Sequence, residues 1–379
     1  MTRQLKVAMI GYGFMGAAHS QGWRVAPRFF DLPAQPVMEL VVGRNASAVA
    51  DAAEKWGWNA SATDWREAIA RDDIDVIDIV TPGDSHAEIA IAALAAGKHV
   101  LCEKPLANTV EEAEAMADAA AAAARNGVYA MLGHTYRRLP ATTLARDFVA
   151  SGRLGTLYQV RASYQQDWLT DPTAPLAWRL QKHLAGSGAL GDIGAHIIDL
   201  SQFITGQRLD SVSGTIDTIT KQRPLEDGSG VGEVTVDDVA IFTGRFDNGM
   251  LGSFEATRFA TGRKNALRVE VSGSDGAIAF DLEDLNSLEY YDATAPATAQ
   301  GFTKILVTEA EHPYVAAWWP PGHMLGYEHA FSNQARDFVV DVIAGEQPTP
   351  SFADGLQVQR VLAAVEASAG SGSAWTPTR

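Results

Sequence analysis

Two rhythms of apolar and polar residues divide the chain near residue 135. In the first stretch, short apolar or β-branched runs (Leu5–Ile10, Met38–Val42, Val76–Val80, His99–Cys102 and Val128–Leu132) alternate with Ala-rich segments at Ser47–Trp56, Ser85–Ala96 and Val110–Arg125. The runs are bounded by turn residues and predict strands. Apolar positions three and four apart in Ala-rich sequence predict helices. Thr109 followed by Glu112 is a capping-box start for the last of these helices. Strands apolar on both faces, alternating with helices, imply an α/β fold with a doubly wound parallel sheet.

After about residue 150 the period shortens to two. Leu157–Tyr164 alternates, as does Val239–Phe246, which meets Met250–Glu255 across Asp247-Asn248-Gly249. An Asn-Gly turn between alternating runs is a strong hairpin signal. Further strands are predicted at Val212–Ile219, Leu267–Val271, Ala277–Phe280 and Leu288–Tyr291, with helices at Asp192–Ile204, Ala330–Ala344 and Gly355–Ala369. The expectation is a Rossmann-type domain over residues 1–135. An α+β domain with a large, open, mainly antiparallel sheet is expected over 136–379, for substrate binding and oligomerisation. An exposed apolar sheet face would be buried against another copy, so a homodimer or homotetramer is expected. The Pro-rich stretch Trp318–Gly322 reads as a loop.

Composition narrows the function. The 379 residues carry 30 Lys+Arg against 46 Asp+Glu, a formal charge of -16. This disfavours a nucleic-acid binder, which needs a basic face. The single cysteine excludes an internal disulfide framework and a Cys-rich metal site. No window has about 18 uninterrupted apolar residues, so no membrane span is expected. Residues 1–6 run directly into the first strand without a signal-peptide pattern, and the expected location is cytoplasmic.

Gly11-Tyr12-Gly13-Phe14-Met15-Gly16 is a GxGxxG directly after the first strand and opening a helix. The first glycine permits the tight turn, and the second lets a pyrophosphate approach the backbone. The third lets helix and strand pack closely. Gly11, Gly13, Phe14, Met15 and Gly16 are therefore candidate dinucleotide contacts. An NAD site usually carries an acid after the second strand, but here the chain reads Val42-Gly43-Arg44-Asn45. Arg44 suits a 2′-phosphate or the adenine face, which leaves NAD or NADP open with a slight lean to NADP or dual use. The long spacing to this point suggests an inserted loop from Pro27 to Pro36.

Ligands of open parallel sheets sit beyond the carboxyl ends of the strands. Thr81-Pro82 and Cys102-Glu103-Lys104-Pro105 lie at two such ends, which makes Lys104 a candidate to meet both a substrate hydroxyl and the nicotinamide. Farther on, Asp192, His196 and Asp199 stand at i, i+4 and i+7, so one α-helical face carries all three. Two acids and an imidazole suit proton transfer. A helix-dipole aspartate beside a satisfied histidine is the plainer alternative.

These segments together resemble the Gfo/Idh/MocA oxidoreductases. The likeness rests on the glycine loop, Thr81-Pro82…His86, Cys102-Glu103-Lys104-Pro105, Gly133-His134-Thr135-Tyr136-Arg137, Gly191-Asp192…His196…Asp199 and Gly273–Asp281, in matching order. It implies NAD(P)-dependent oxidation or reduction of sugars, anhydrosugars or cyclitols. By position it makes Lys104, Asp192 and His196 catalytic, with Asp199 supporting the substrate face. It adds Thr81, Pro82, His86, Glu103 and Lys104 to the coenzyme contacts. Cys102 stands where the family often has alanine. Tyr164–Trp168, Trp178-Arg179 and Ser187–Asp192 resemble the branch that oxidises levoglucosan, at C3, and inositols. A Trp168/Trp178 pair with Arg179 suits a pyranose-like ring, although each Trp alone fits core packing as well. His323 and His329 follow the Pro-rich loop, and His323 joins Lys104, Asp192 and His196 as a candidate polyol contact. Two rival classes remain. One is a metal-dependent hydrolase or lyase using Asp192, His196 and a ligand such as His323, though no HExxH is present. The other is a non-catalytic nucleotide-sensing protein, which would not need Lys104, Asp192 and His196 together.

Overall fold

The computed structural model describes residues 3–379; Met1 and Thr2 lie outside the described residues. The chain divides into two compact units, Met1–Arg138 with Gly326–Leu356, and Leu139–Leu325 with Gln357–Arg379.

The first unit is a doubly wound parallel sheet. Its strands are β1 (Gln4–Ile10), β2 (Gln35–Val42), β3 (Ala60–Ala62), β4 (Val76–Ile79), β5 (His99–Cys102) and β6 (Ala130–Leu132), in the order β3-β2-β1-β4-β5-β6. The helices between them are α1 (Phe14–Phe29), α2 (Ala46–Trp56), α3 (Trp65–Ala70), α4 (His86–Ala95) and α5 (Val110–Ala124). Successive side chains of a strand point to opposite faces, so two cores form. Ala8, Ile10, Ile77 and Ile79 face Ala90 and Ala93 of α4 and Ala113 and Met116 of α5. Val7, Met9, Val76 and Leu101 face Trp23 and Ala26 of α1 on the other side. The Thr109–Glu112 capping box forms as expected. β3 departs from the sequence pattern: Ala-Ser-Ala has no apolar run, and its strand form comes from pairing beside β2.

The Pro27–Pro36 insertion is corrected. α1 continues through Pro27 to Phe29, because a proline in the last turn forfeits only one intrahelical bond. Chain order places the helix α9 (Tyr327–Ala344) with the second domain, yet its residues Ala335, Phe338 and Val339 complete the core under Trp23. Helical periodicity marks an apolar face without naming what that face meets.

The second unit is built on nine strands, with a small two-stranded pairing beside them. Introduced in chain order, the strands are β7 (Leu157–Gln165), β8 (Leu209–Asp217), β9 (Gln222–Pro224), β10 (Val231–Glu233), β11 (Val239–Phe246), β12 (Leu251–Thr257), β13 (Ala266–Gly273), β14 (Gly276–Asp281), β15 (Ser287–Asp292), β16 (Thr303–Leu306) and β17 (Thr376–Pro377). The large sheet runs β16-β15-β14-β13-β7-β12-β11-β8-β17; only β7 and β12 pair in parallel, and β9 and β10 form the separate hairpin. Gly249, at φ +86°, turns the Asp247–Gly249 hairpin. On one face Val160, Ala162, Phe242, Phe254, Val269 and Ile278 are buried. α6 (Pro140–Ala150) and α8 (Ala195–Thr205) pack on the sheet, and Val365 of α10 (Phe352–Gly370) reaches Gly214. A short helix, α7 (Lys182–Ala185), precedes the Gly186–Gly191 segment. The opposite face is not the apolar surface expected from sequence. Ile241 and Leu251 are exposed there, but Arg161–Glu270 and Arg268–Asp281 ion pairs cross it at 2.7 Å.

Candidate active site

In the first unit each motif glycine has a separate steric reason. Gly11 lies at φ +113°, and a Cβ added there would stand 2.9 Å from the Val80 carbonyl oxygen. At Gly16 an added Cβ would stand 2.9 Å from the Gly11 carbonyl oxygen, so helix and loop touch. Gly13 meets nothing within 4 Å. It starts α1 without a side-chain cap, leaving the first-turn N–H groups for an anion. These residues fit a dinucleotide pyrophosphate. Phe14 is 70% exposed and stacks on Tyr327 at 6.4 Å, whereas the Met15 side chain packs against the core.

Other candidates turn inward. His86 is buried, with Nε2 2.8 Å from the Thr81 carbonyl oxygen and Nδ1 3.0 Å from that of Pro105, so its ring ties the two strand-end loops together. Glu103 is also buried; its Oε1 lies 2.9 Å from His19 Nε2, and its Oε2 accepts the Lys104 backbone N–H at 3.3 Å. Arg44 is exposed, and the neighbouring Asn45 caps α2. Gly43 is needed for packing: an added Cβ would sit 2.0 Å from the Tyr12 ring. Burial pushes the Cys102 thiol up, which keeps it protonated beside this site.

In the second unit the helix carrying the dyad opens differently from expectation. Leu190–Gly194 forms a π-helical turn before α8 continues as α-helix. A π turn changes the angular phase of the side chains. The turn shifts Asp192 relative to His196 and Asp199, which stay on one α-helical segment, and Asp199 is only 2% exposed. The turn is anchored by Asp237, whose carboxylate accepts the Gly188 and Leu190 N–H groups at 2.7 Å each. Burial raises the Asp237 pKa against these bonds. No side chain fits at Gly188, where an added Cβ would stand 1.7 Å from the Asp237 carbonyl oxygen.

Arg258, at the end of β12 and 1% exposed, donates from one terminal nitrogen to Asp192 Oδ2 at 2.8 Å and to the Gly188 carbonyl at 3.2 Å. Asp192 nevertheless keeps 31% of its side chain exposed. The Arg258 guanidinium also lies 5.3 Å from the Trp168 ring, so it links the acid to a half-exposed indole. His196 packs at 5.8 Å from the Tyr164 ring, whose hydroxyl donates to Asn265 Oδ1 at 2.7 Å. Trp178 and Arg179 stack on each other at 4.4 Å. His323 is exposed, its Nδ1 2.9 Å from the Pro320 carbonyl oxygen within its own loop. His329 accepts the Gly326 N–H at the start of α9, and burial lowers its pKa. Sequence reasoning missed Arg258, Asp237 and His19. Only proximity gave a signal: His19 stands three residues beyond the last motif glycine, and Arg258 three residues beyond the predicted strand Met250–Glu255.

The comparisons match this construction. Residues 5–134 fit the model of an oxidoreductase family with an NAD-binding Rossmann fold, and residues 142–279 fit the GFO/IDH/MocA C-terminal domain. A levoglucosan dehydrogenase from Pseudarthrobacter phenanthrenivorans is 41% identical over 97% of this chain and 96% of its own. The crystal structure of an oxidoreductase domain protein from Kribbella flavida superposes with TM-score 0.97 at 61% identity, covering 100% of both chains. A levoglucosan dehydrogenase in complex with NADH and levoglucosan gives TM-score 0.95 at 41% identity, over 99% of this chain and 100% of that one. Among the described residues no helix is long and apolar enough to cross a membrane. With a Rossmann unit, a matching C-terminal unit and near-complete coverage, the chain belongs to the Gfo/Idh/MocA oxidoreductases.

Proposed function

We propose that this protein is an NAD-dependent dehydrogenase acting on a ring secondary alcohol of an anhydrosugar, with sugars and cyclitols as the wider substrate class. The single observation that carries the reading is Asp192: a fully buried guanidinium holds it while part of its carboxylate stays open, on the turn that leads to His196. A levoglucosan-like substrate is favoured by the relative of that name, and oxidation at C3 is what the sequence resemblance implies. NAD is preferred over NADP: the relative's complex contains NADH, and the slight sequence lean to NADP finds no support in it.

The glycine loop and the first turn of α1 hold the pyrophosphate, with Thr81 and Pro82 beside it. When bound, the nicotinamide supplies a hydride acceptor for the carbinol carbon. This chain's residues handle the proton and the orientation. His196 takes the hydroxyl proton, Asp192 holds the imidazole and the ring in place, and Lys104 donates a hydrogen bond to the oxygen as negative charge builds on it. Trp168 and the Trp178–Arg179 pair offer aromatic faces to the C–H side of the ring and donors to its hydroxyls. The Arg258–Asp192 ion pair speaks against the metal-hydrolase alternative, because it sets a fixed positive charge beside the acid that would ligate a cation. The second unit's sheet has helices on one face and a basin of about 660 Å³ on the other, lined by Arg161, Ile241, Glu255 and Arg268 among others. A homodimer or homotetramer over this face would rest on its ion pairs and the exposed Ile241 and Leu251 rather than on the apolar surface expected from sequence, and light scattering at a monomer's mass would refute that assembly.

The test is a panel of levoglucosan, glucose-type sugars and inositols with NAD+ and NADP+ in parallel. Levoglucosan with NAD+ should give the highest kcat/KM, and Lys104→Ala and His196→Ala should each keep NADH binding while losing turnover. No reduction of either coenzyme across the panel, or near-normal turnover in either variant, overturns the reading.

A further inference from the structure

A buried ionic cluster of the first unit lies outside the reaction described above. His19 of α1 is 2% exposed, with both ring nitrogens facing carboxylates. Nδ1 is 2.9 and 3.0 Å from the two oxygens of Asp78 on β4, and Nε2 is 2.9 Å from Glu103 Oε1 at the end of β5. An ionised carboxylate only accepts hydrogen bonds, so two acids on one ring call for a proton on each nitrogen. The remaining acceptor positions are used as well. Trp23 Nε1 donates to Asp78 Oδ2 at 2.7 Å, and the Lys104 backbone N–H donates to Glu103 Oε2 at 3.3 Å. The cluster is closed from above by Phe331 of α9, whose ring lies 5.5 Å from the imidazole. Gly133 closes it from the side, since a Cβ there would stand 2.6 Å from Glu103 Oε1.

We propose that His19 is a positioning residue for Lys104: a buried imidazolium that grips Asp78 and Glu103 at once, and so fixes the carboxylate from which the Lys104 main chain hangs. The chain of contacts runs from the first helix of the coenzyme loop to the residue next to the ammonium group, through one ring and one carboxylate. Burial opposes the charged ring, but Asp78 and then Glu103 outweigh it and raise the pKa to about 10, so the clamp stays charged at neutral pH. Nothing in the cluster is open to substrate, since Asp78 is 0% and Glu103 4% exposed. Its effect on the reaction passes through Lys104, and the inference rests on the function proposed above.

Glu103→Gln is the sharpest probe. Glutamate accepts from His19 and from the Lys104 N–H on separate oxygens, whereas an amide has one acceptor oxygen and turns a donor on the other partner. The variant also leaves His19 paired with Asp78, so it removes a contact without stranding a charge. Gly133→Ala is the second probe and pushes the same carboxylate without altering any charge. With levoglucosan and NAD+, kcat should fall about 10- to 100-fold in Glu103→Gln, the scale expected when a reacting group is displaced by about 1 Å. In Gly133→Ala, which alters no coenzyme-contact residue, the NADH dissociation constant read by fluorescence titration should stay within about twofold while kcat falls. Independently of activity, spectra of 15N-histidine-labelled protein at pH 8 should show one buried ring protonated on both nitrogens. The inference is overturned if that ring is a neutral tautomer, or if both variants keep kcat within about twofold while Lys104→Ala is inactive. If Lys104→Ala itself turns over normally, the proposed function has failed and the clamp has no reaction to serve; the spectra still decide the ring's charge.

Discussion

Each unit has a buried cation beside its motif residues that holds a carboxylate, but the two are sealed to different degrees. In the first, His19 locks Asp78 and Glu103, and all three are closed to water. In the second, Arg258 is equally buried, yet the Asp192 it grips keeps 31% of its side chain open. A sealed acid has no route to a substrate and serves to fix the backbone around it. A half-open acid can meet a ligand on one oxygen while the other is held. The sealed cation thus serves shape, and the half-open pair contact.

Breaking the sealed device should cost the most. His19→Ala strands two buried carboxylates facing each other, and an equilibrium urea titration should record a loss of about 3–5 kcal/mol. The same device gives a pH signature. Its folded pKa of about 10 lies above the ordinary 6.5, so its contribution is complete below pH 6.5 and fades as pH rises towards 10. Urea midpoints at pH 6, 8 and 9.5 should therefore fall more steeply in the wild type than in His19→Gln. Arg258→Met should cost less stability, about 1–3 kcal/mol, because Asp192 regains water through its open side. Its kcat/KM should nevertheless drop more than about tenfold. Equal losses in the two cation variants would erase the contrast between sealed and open. The smallest effect sharpens it within one loop. Gly16→Ala should destabilise by about 1–3 kcal/mol through its close contact, whereas Gly13→Ala, facing open space, should leave the urea midpoint nearly unchanged and weaken NADH binding.

Periodicity made most of the longer strands and helices legible, though not α3, α6, β9, β10 or β16, and the glycine loop carried enough context to locate the first strand of the Rossmann unit. What it missed shares a physical cause. β3 has no apolar signal because its pairing with β2 decides its conformation. α9 reads as an amphipathic helix but does not reveal that its partner is Trp23. Asp192, His196 and Asp199 share a face only on an unbroken α-helical wheel, and the π turn shifts Asp192 off it. Arg258 meets Asp192 across 66 residues of chain, a separation at which spacing carries no information. Glu103 and His86 were legible as strand-end residues, but their inward bonds depend on tertiary contacts.

The Tyr12 ring resting on Gly43 has an evolutionary consequence. Many sheets of this kind select their coenzyme with one acidic side chain after the second strand, but here any side chain at 43 collides with the phenol ring. An acid at 43 therefore requires the residue 12 side chain to shrink or turn aside, which couples the two positions in any such exchange.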